Sequence, residues 1–353
     1  MSVNETLKKQ NIFDITAPNK STKIINGESS GILNWDDIRM PQMYKLYRVL
    51  LGNHWIADEI PMNTDKTNFP NLSPREQETF KKIIGLLAVL DSMQTMFVGD
   101  VKEYLTDSSL QAIAAIIGQQ EVVHNQSYSY ILSSLVPWEE QKEIFEYWKH
   151  DEVLLRRNLF IRDAYQEFRD NPTPQTFFKA IVADMVLEGI FFYAGFAFFY
   201  NTARDHRPKD MRMLATTQMI SYIQRDEQHH CYFFGEVFKQ LLIDYPELNT
   251  PENIKYVYDF IDKAVQLETE WAEYVLTGIE GIELNEFKDY IKFIANKRLK
   301  LMGLEPAYSG VDNCMPWIRP FSDEALNDTK TDFFEAKSRT YAKASADNDW
   351  DDL

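Results

Sequence analysis

Two stretches, QQEVVH (Gln119 to His124) and RDEQHH (Arg225 to His230), carry the same pattern, Glu-x-x-His, as Glu121–His124 and Glu227–His230. Residues three apart on a helix share a face, so each stretch offers one carboxylate and one imidazole to a common point. One copy in 353 residues is weak; two copies on separate long helical patterns are a much stronger signal. Two more acids sit on apolar helices. Asp91 follows IIGLLAVL (Ile83 to Leu90), and Glu188 lies within VLEGIFFYAGFAFFY (Val186 to Tyr200). Four helices thus bring four carboxylates and two imidazoles, the donor set of a carboxylate-bridged dimetal site inside a four-helix bundle. Glu on both non-His helices is the usual pattern; here one of them is the shorter Asp91. Two divalent cations would offset the cost of burying four acids, and oxygen donors with imidazole suit Fe or Mn. The spacing alone leaves open that Asp91 and Glu188 are rim acids and that the histidines are satisfied in a core.

The wider composition is consistent with this reading. The chain has 37 Lys+Arg against 54 Asp+Glu, a formal net charge of −17, and 44% hydrophobic residues. That content supports a sizeable core and excludes a disordered chain. The acidic balance argues against a nucleic-acid or anionic-membrane surface, which needs clustered Lys and Arg. Two cysteines, Cys231 and Cys314, exclude a disulfide scaffold or a Cys-rich metal site and fit a reducing compartment. The N-terminal MSVNETLKKQ has no apolar signal-peptide core, so a cytoplasmic location is expected. Val186 to Tyr200 is shorter than a bilayer span and carries Glu188, so it reads as a buried core helix.

Glycine and proline are sparse, 13 and 14, and fall between long helical patterns. A flexible, polar segment is expected over residues 1–35, then a short helix from Pro41 to Leu51. Long helices are expected over Ser73–Leu105, Ser108–Leu135, Glu139–Arg169, Pro174–Tyr200, Asp210–Ile243, Pro251–Thr277 and Asn285–Met302. Ser73 with Glu76 three residues on forms a capping box. The expected fold is all-α, one helical domain over residues 36–320, with a mobile acidic tail over residues 321–353 that ends in DNDWDDL.

Tyr128 lies seven residues after Glu121 and four after His124, two turns along the same face. Phe192 and Phe196, at +4 and +8 from Glu188, and Ile223, at −4 from Glu227, would surround it with a dry apolar pocket.

With these residues in view, the chain resembles the small (beta) subunit of class I ribonucleotide reductase, closest to the class Ib type, from about Tyr47 to the C-terminus. The ordered motifs are HWIADEIP around Trp55, LAVLDSMQ around Asp91, QQEVVHNQSYS around Glu121, VLEGIFFYAGF around Glu188, IQRDEQHH around Glu227, IKFIANKRLKLMGLEP (Ile291 to Pro306) and DFFEAKSRTYAKA (Asp332 to Ala344). The resemblance implies a ferritin-like bundle and six metal ligands: Asp91, Glu121, His124, Glu188, Glu227 and His230. It implies a tyrosyl radical on Tyr128, a transfer chain through His124, Asp226 and Trp55, and a tail tyrosine, Tyr341, that passes the radical onward. It also implies a homodimer and docking of the tail, with Trp350, on the large (alpha) subunit, where ribonucleotides become deoxyribonucleotides. Iron, manganese or a mixed pair, oxygen or superoxide as oxidant, and a flavodoxin-like activase all belong to that expectation. Gln120 stands where subclasses vary and where the route of the oxidant is affected.

The rival readings are a two-electron oxidase or hydroxylase on the same scaffold, storage of the oxidising equivalent on the metals, and iron storage or a purely structural bundle. An oxidase predicts a substrate channel to the metals and has no use for Trp55, Tyr341 or the tail. Gly27-Glu28-Ser29-Ser30-Gly31 matches a nucleophile elbow but lacks the sheet and helix that motif needs. Cys231 reads as a buried structural thiol, and His150 and His229 as surface or core residues.

Overall fold

The computed structural model describes residues 3–321, and Tyr341 and Trp350 lie outside them. Eleven α-helices are present among these residues, with a single isolated bridge, Ile25 to Leu105, and no strand. The helices are α1 (Gln42–Gly52), α2 (Asn63–Asn68), α3 (Pro74–Tyr104), α4 (Ser108–Leu135), α5 (Trp138–Glu146), α6 (Glu152–Asp170), α7 (Pro174–Leu187), α8 (Tyr193–Ala203), α9 (Leu214–Asp244), α10 (Pro251–Leu276) and α11 (Leu284–Leu301).

The helix starts are chemically marked. Ser73 accepts from the Glu76 amide while Glu76 reaches back to the Ser73 amide at 2.9 Å, so the capping box forms as expected. Thr173 and Thr176 repeat that reciprocal cap at α7, with Pro174 at the first helical position. Asp107 and Asp151 cap α4 and α6.

Two expected helices are interrupted. Glu139–Arg169 divides into α5 and α6, because Asp151 turns its carboxylate onto the Leu154 amide at 3.0 Å and starts a new helix there. Pro174–Tyr200 divides into α7 and α8 around a turn at residues 188–192. The first turn of α9 lies beyond Asp210, where the expected helix began, and has no side-chain cap of its own. Asp65, from α2, accepts from the Ala215 amide at 3.0 Å and the Thr216 amide at 2.7 Å instead.

Helices α3, α4, α7–α8 and α9 pack into a four-helix core, with α1 laid on α4 and α9, α6 on α7, α10 on α6, α7 and α8, and α11 on α9 and α10. Every residue of α8 is buried, which explains a helix apolar on all faces. The run from Val186 to Tyr200 is therefore buried in the core, as expected. Helix α3 is apolar and long enough to span a bilayer, but 61% of its apolar window is buried against the other helices.

The N-terminal segment, expected to be flexible, is tied to the helices. Leu7, Ile24 and Ile25 are buried. The Ile24 amide donates to Asp244 at 2.8 Å, and the Thr106 amide to the Ile24 carbonyl at 2.7 Å. Its polar composition hid three anchoring apolar side chains. The Gly27–Gly31 stretch is part of these turns, and residues 32–34 directly after it are not helical.

Because Asp65 supplies the cap that α9 lacks, Asp65→Ala is expected to destabilise the protein by about 1–2 kcal/mol. Denaturant unfolding together with faster amide exchange at Ala215 and Thr216 checks this.

Candidate metal centre

Each of the four core helices delivers its acid to one point. Asp91 comes from α3, Glu121 and His124 from α4, Glu188 from the C-terminal boundary of α7, and Glu227 and His230 from α9. All six are at most 1% exposed. They form two overlapping groups, Asp91–Glu121–His124–Glu227 and Glu121–Glu188–Glu227–His230, with ligand atoms in each group within 4.8 Å of one another.

The glutamates common to both groups face both ways. Glu121 turns Oε2 to His124 Nδ1 at 3.6 Å and Oε1 to His230 Nδ1 at 3.0 Å. Glu227 turns Oε1 to His124 Nδ1 at 3.1 Å and Oε2 to His230 Nδ1 at 3.1 Å. Asp91 lies 3.9 Å from His124 Nδ1 and Glu188 3.5 Å from His230 Nδ1, at opposite ends. The imidazole rings are 6.0 Å apart.

The outer ring nitrogens are held separately. His124 Nε2 meets Asp226 Oδ2 at 3.4 Å, and His230 Nε2 meets the side-chain oxygen Oε1 of Gln120 at 3.0 Å. An N–H on the outer nitrogen leaves the Nδ1 lone pair aimed inward, the tautomer a metal requires.

The inward atoms lack other partners. Both oxygens of Asp91 and of Glu121, Oε2 of Glu188, Oε1 of Glu227 and Nδ1 of His124 make no hydrogen bond. A buried carboxylate without a partner costs several kcal/mol, so this many orphaned acceptors at one point calls for cations. Four carboxylates with two imidazoles fit two divalent transition-metal ions, and Glu121 and Glu227 would be available to both.

Electrostatics agree with that fit. Burial raises the Asp91 carboxyl well above its ordinary value, reinforced by Glu121 and Glu227. Burial pushes Glu188 up to about 8, against the pull of His230. Burial would lower both histidines, yet the surrounding carboxylates hold His124 and His230 well above the usual imidazole range. The cluster therefore holds protons wherever it lacks cations.

Tyr128 lies fully buried beside these acids, on the face of α4 that its spacing predicts. Its hydroxyl makes no hydrogen bond of good geometry, and burial with the neighbouring Asp91 raises it well above its ordinary value. Phe192, Phe196 and Ile223 are at most 1% exposed. The +4 and +8 spacing that placed the two phenylalanines assumed a continuous helix, and the turn after Leu187 changes that phase.

Trp55 is also buried, and its Nε1 donates to Asp226 Oδ2 at 2.8 Å. One carboxylate oxygen thus connects the indole to His124. Burial would raise Asp226, but Arg225, His124 and Trp55 hold it well below the usual carboxylate range. Arg225 also donates to the Asn53 carbonyl at 2.7 Å, which fixes the loop before Trp55. Cys231 is buried as expected, His150 is exposed, and His229 is half-buried with Nδ1 on the Arg225 carbonyl at 2.6 Å.

Three residues near Glu188 escaped the sequence reading. Gln94 donates to Asp184 at 2.5 Å and also to Glu188, while the Tyr165 hydroxyl donates to Gln94 at 2.8 Å. Asp184 lies one turn before Glu188, so an acid at −4 in an apolar run was the available signal.

Groups with pKa values above the working pH must lose protons before they can coordinate. Loading with divalent metal near neutral pH is therefore expected to release protons, and affinity to fall as pH is lowered. Calorimetry in buffers of different ionisation enthalpy measures this, and zero release contradicts it.

The family model for the ribonucleotide reductase small chain matches residues 32–314. The chain is 54% identical over 351 residues to the ribonucleoside-diphosphate reductase subunit beta of Halalkalibacterium halodurans, covering 99% of this chain and 100% of that one. It is 37% identical to the subunit beta of Treponema pallidum over 92% of each chain. The ribonucleotide reductase R2 subunit from Clostridium botulinum superposes with a TM-score of 0.85 at 34% identity, covering 90% of this chain and 99% of that one. With its ferritin-like four-helix core, the chain belongs to the ribonucleotide reductase small-chain family.

Proposed function

We propose that this ribonucleotide reductase small subunit stores a one-electron oxidising equivalent on Tyr128 and passes it through His124, Asp226 and Trp55 to its large subunit. The observation that carries the reading is the unbroken contact chain from the metal centre to Trp55, made through the single oxygen Oδ2 of Asp226.

Asp91, Glu121, His124, Glu188, Glu227 and His230 would hold two transition-metal ions. Those ions, iron, manganese or one of each, supply the oxidation of Tyr128 with oxygen or superoxide as the oxidant. The remaining work belongs to the chain itself. Burial keeps the Tyr128 phenol protonated, so loss of its electron is coupled to loss of the Oη proton. Phe192, Phe196 and Ile223 exclude water and reductants from the resulting neutral radical. Asp226 stays ionised and accepts from the Trp55 indole N–H, so it holds the indole and the His124 ring in one hydrogen-bonded line. Tyr341 and the acidic tail with Trp350, residues 321–353, extend the route and dock on the large subunit. A homodimer, a flavodoxin-like activase and a cytoplasmic setting complete this reading.

The two-electron oxidase reading wants a substrate channel to the metals. An open cavity of about 560 Å³ lies between α3 and α6, but none of the six cluster residues lines it.

Tyr128→Phe is expected to keep two metal ions per chain while losing the tyrosyl signal in electron paramagnetic resonance and nucleotide reduction with the large subunit. Retained turnover would move the stored equivalent onto the metals. Trp55→Phe separates storage from transfer, because the tyrosyl signal should persist while turnover is lost. Removing residues 342–353 should abolish binding to the large subunit and leave metal content intact; unchanged binding would dismiss the docking role.

A further inference from the structure

Residues 188–192, between α7 and α8, form a turn that is wholly buried. A buried turn must find partners for the backbone groups that a helical ladder would satisfy. Here the ladder slips by one residue. The Val186 carbonyl accepts from Ile190 at 2.9 Å and also from Phe191, five residues on, at 3.0 Å. That is the hydrogen-bond signature of a π-type bulge.

Three backbone groups past the slip are satisfied by side chains from three other helices. The Gly189 carbonyl accepts from Arg298 Nε of α11 at 3.0 Å. The Phe191 carbonyl accepts from Arg157 Nη2 of α6. The Ala194 amide donates to Glu268 Oε1 of α10 at 2.8 Å. Arg157 and Glu268 are bonded to each other, Nε to Oε2 at 3.1 Å, and Arg298 also reaches the Tyr193 hydroxyl. A Cβ at Gly189 would collide with the Met185 carbonyl oxygen and stand 2.7 Å from Arg298 Cδ, so the close approach of Arg298 requires glycine.

Burying two guanidinium groups and a carboxylate is expensive, and a regular helix would need none of them. What they hold is the backbone directly after Glu188. We propose that Arg298, with the Arg157–Glu268 pair, is a positioning bracket for Glu188: these side chains maintain the bulge and so set where the Glu188 carboxylate stands against His230. The inference rests on the ligand role proposed above for Glu188. One residue of slip corresponds to about 100° of helical phase. Relaxation of the bulge toward regular helix would therefore swing the segment following Val186 away from the cluster. Glu188 belongs only to the group that contains His230, so the bracket acts on one metal position and not on the other.

The test is a titration of the metal-free full-length protein with Co²⁺, followed by visible absorption, with the two positions assigned through His124→Ala and His230→Ala. In Arg298→Met the position near His124 is expected to bind as in the parent. The position near His230 should weaken roughly tenfold or more. Arg298→Lys, which keeps the charge and one donor without the two-point reach, should fall between. A merely structural role would weaken both positions together, and that result, or no change at either, overturns the bracket. If Arg298→Met does not fold, Arg298→Lys and Tyr193→Phe carry the same comparison between positions. Glu188→Ala serves as the control. If it leaves the position near His230 intact, the ligand assignment fails, whatever the arginine variants do.

Discussion

Four carboxylates and two imidazoles share one buried point in an apolar core, and much of this structure follows from making that tolerable. Each buried Leu or Phe contributes only about 1.5–3 kcal/mol, while an unpaired buried carboxylate costs more than that. Hydrophobic burial alone is a poor match for such a cluster. Two divalent cations reverse the balance, and without them the acids and imidazoles hold extra protons. The outer hydrogen bonds of His124 and His230 then have one clear purpose, to keep each Nδ1 turned inward.

The same constraint shapes the helices around the cluster. A straight α7–α8 helix would have been the simpler fold for so apolar a run. Instead it is interrupted directly after Glu188, and the interruption is held by charged groups from α6, α10 and α11. Helix α9, which carries Glu227 and His230, takes its N-terminal cap from Asp65 of α2. Outlying helices thus serve the centre through backbone contacts rather than by reaching it.

The bundle and the six cluster residues were legible because each rests on local spacing. Glu-x-x-His repeats at a three-residue interval, and Asp91 and Glu188 stand out against apolar neighbours. Ser73 with Glu76 announced the start of α3 for the same reason. The interruptions were not legible. Nothing within Val186–Tyr200 reports that Arg298, about a hundred residues later, takes the Gly189 carbonyl. Nor does the polar run at residues 1–35 report that Ile24 and Ile25 reach the core. Gln94 and Tyr165 escaped because their partners are distant in sequence, whereas Asp184 could have been noticed as an acid one turn from Glu188.

In the proposed function Glu121 and Glu227 would serve both of two ions, Asp91 and His124 one of them, and Glu188 and His230 the other. Anomalous diffraction at the metal absorption edge, from crystals of the metal-loaded protein, tests it most directly. The account predicts two peaks per chain, one beside His124 Nδ1 and one beside His230 Nδ1, with both glutamates between them. A single peak, or peaks outside these six residues, would contradict it.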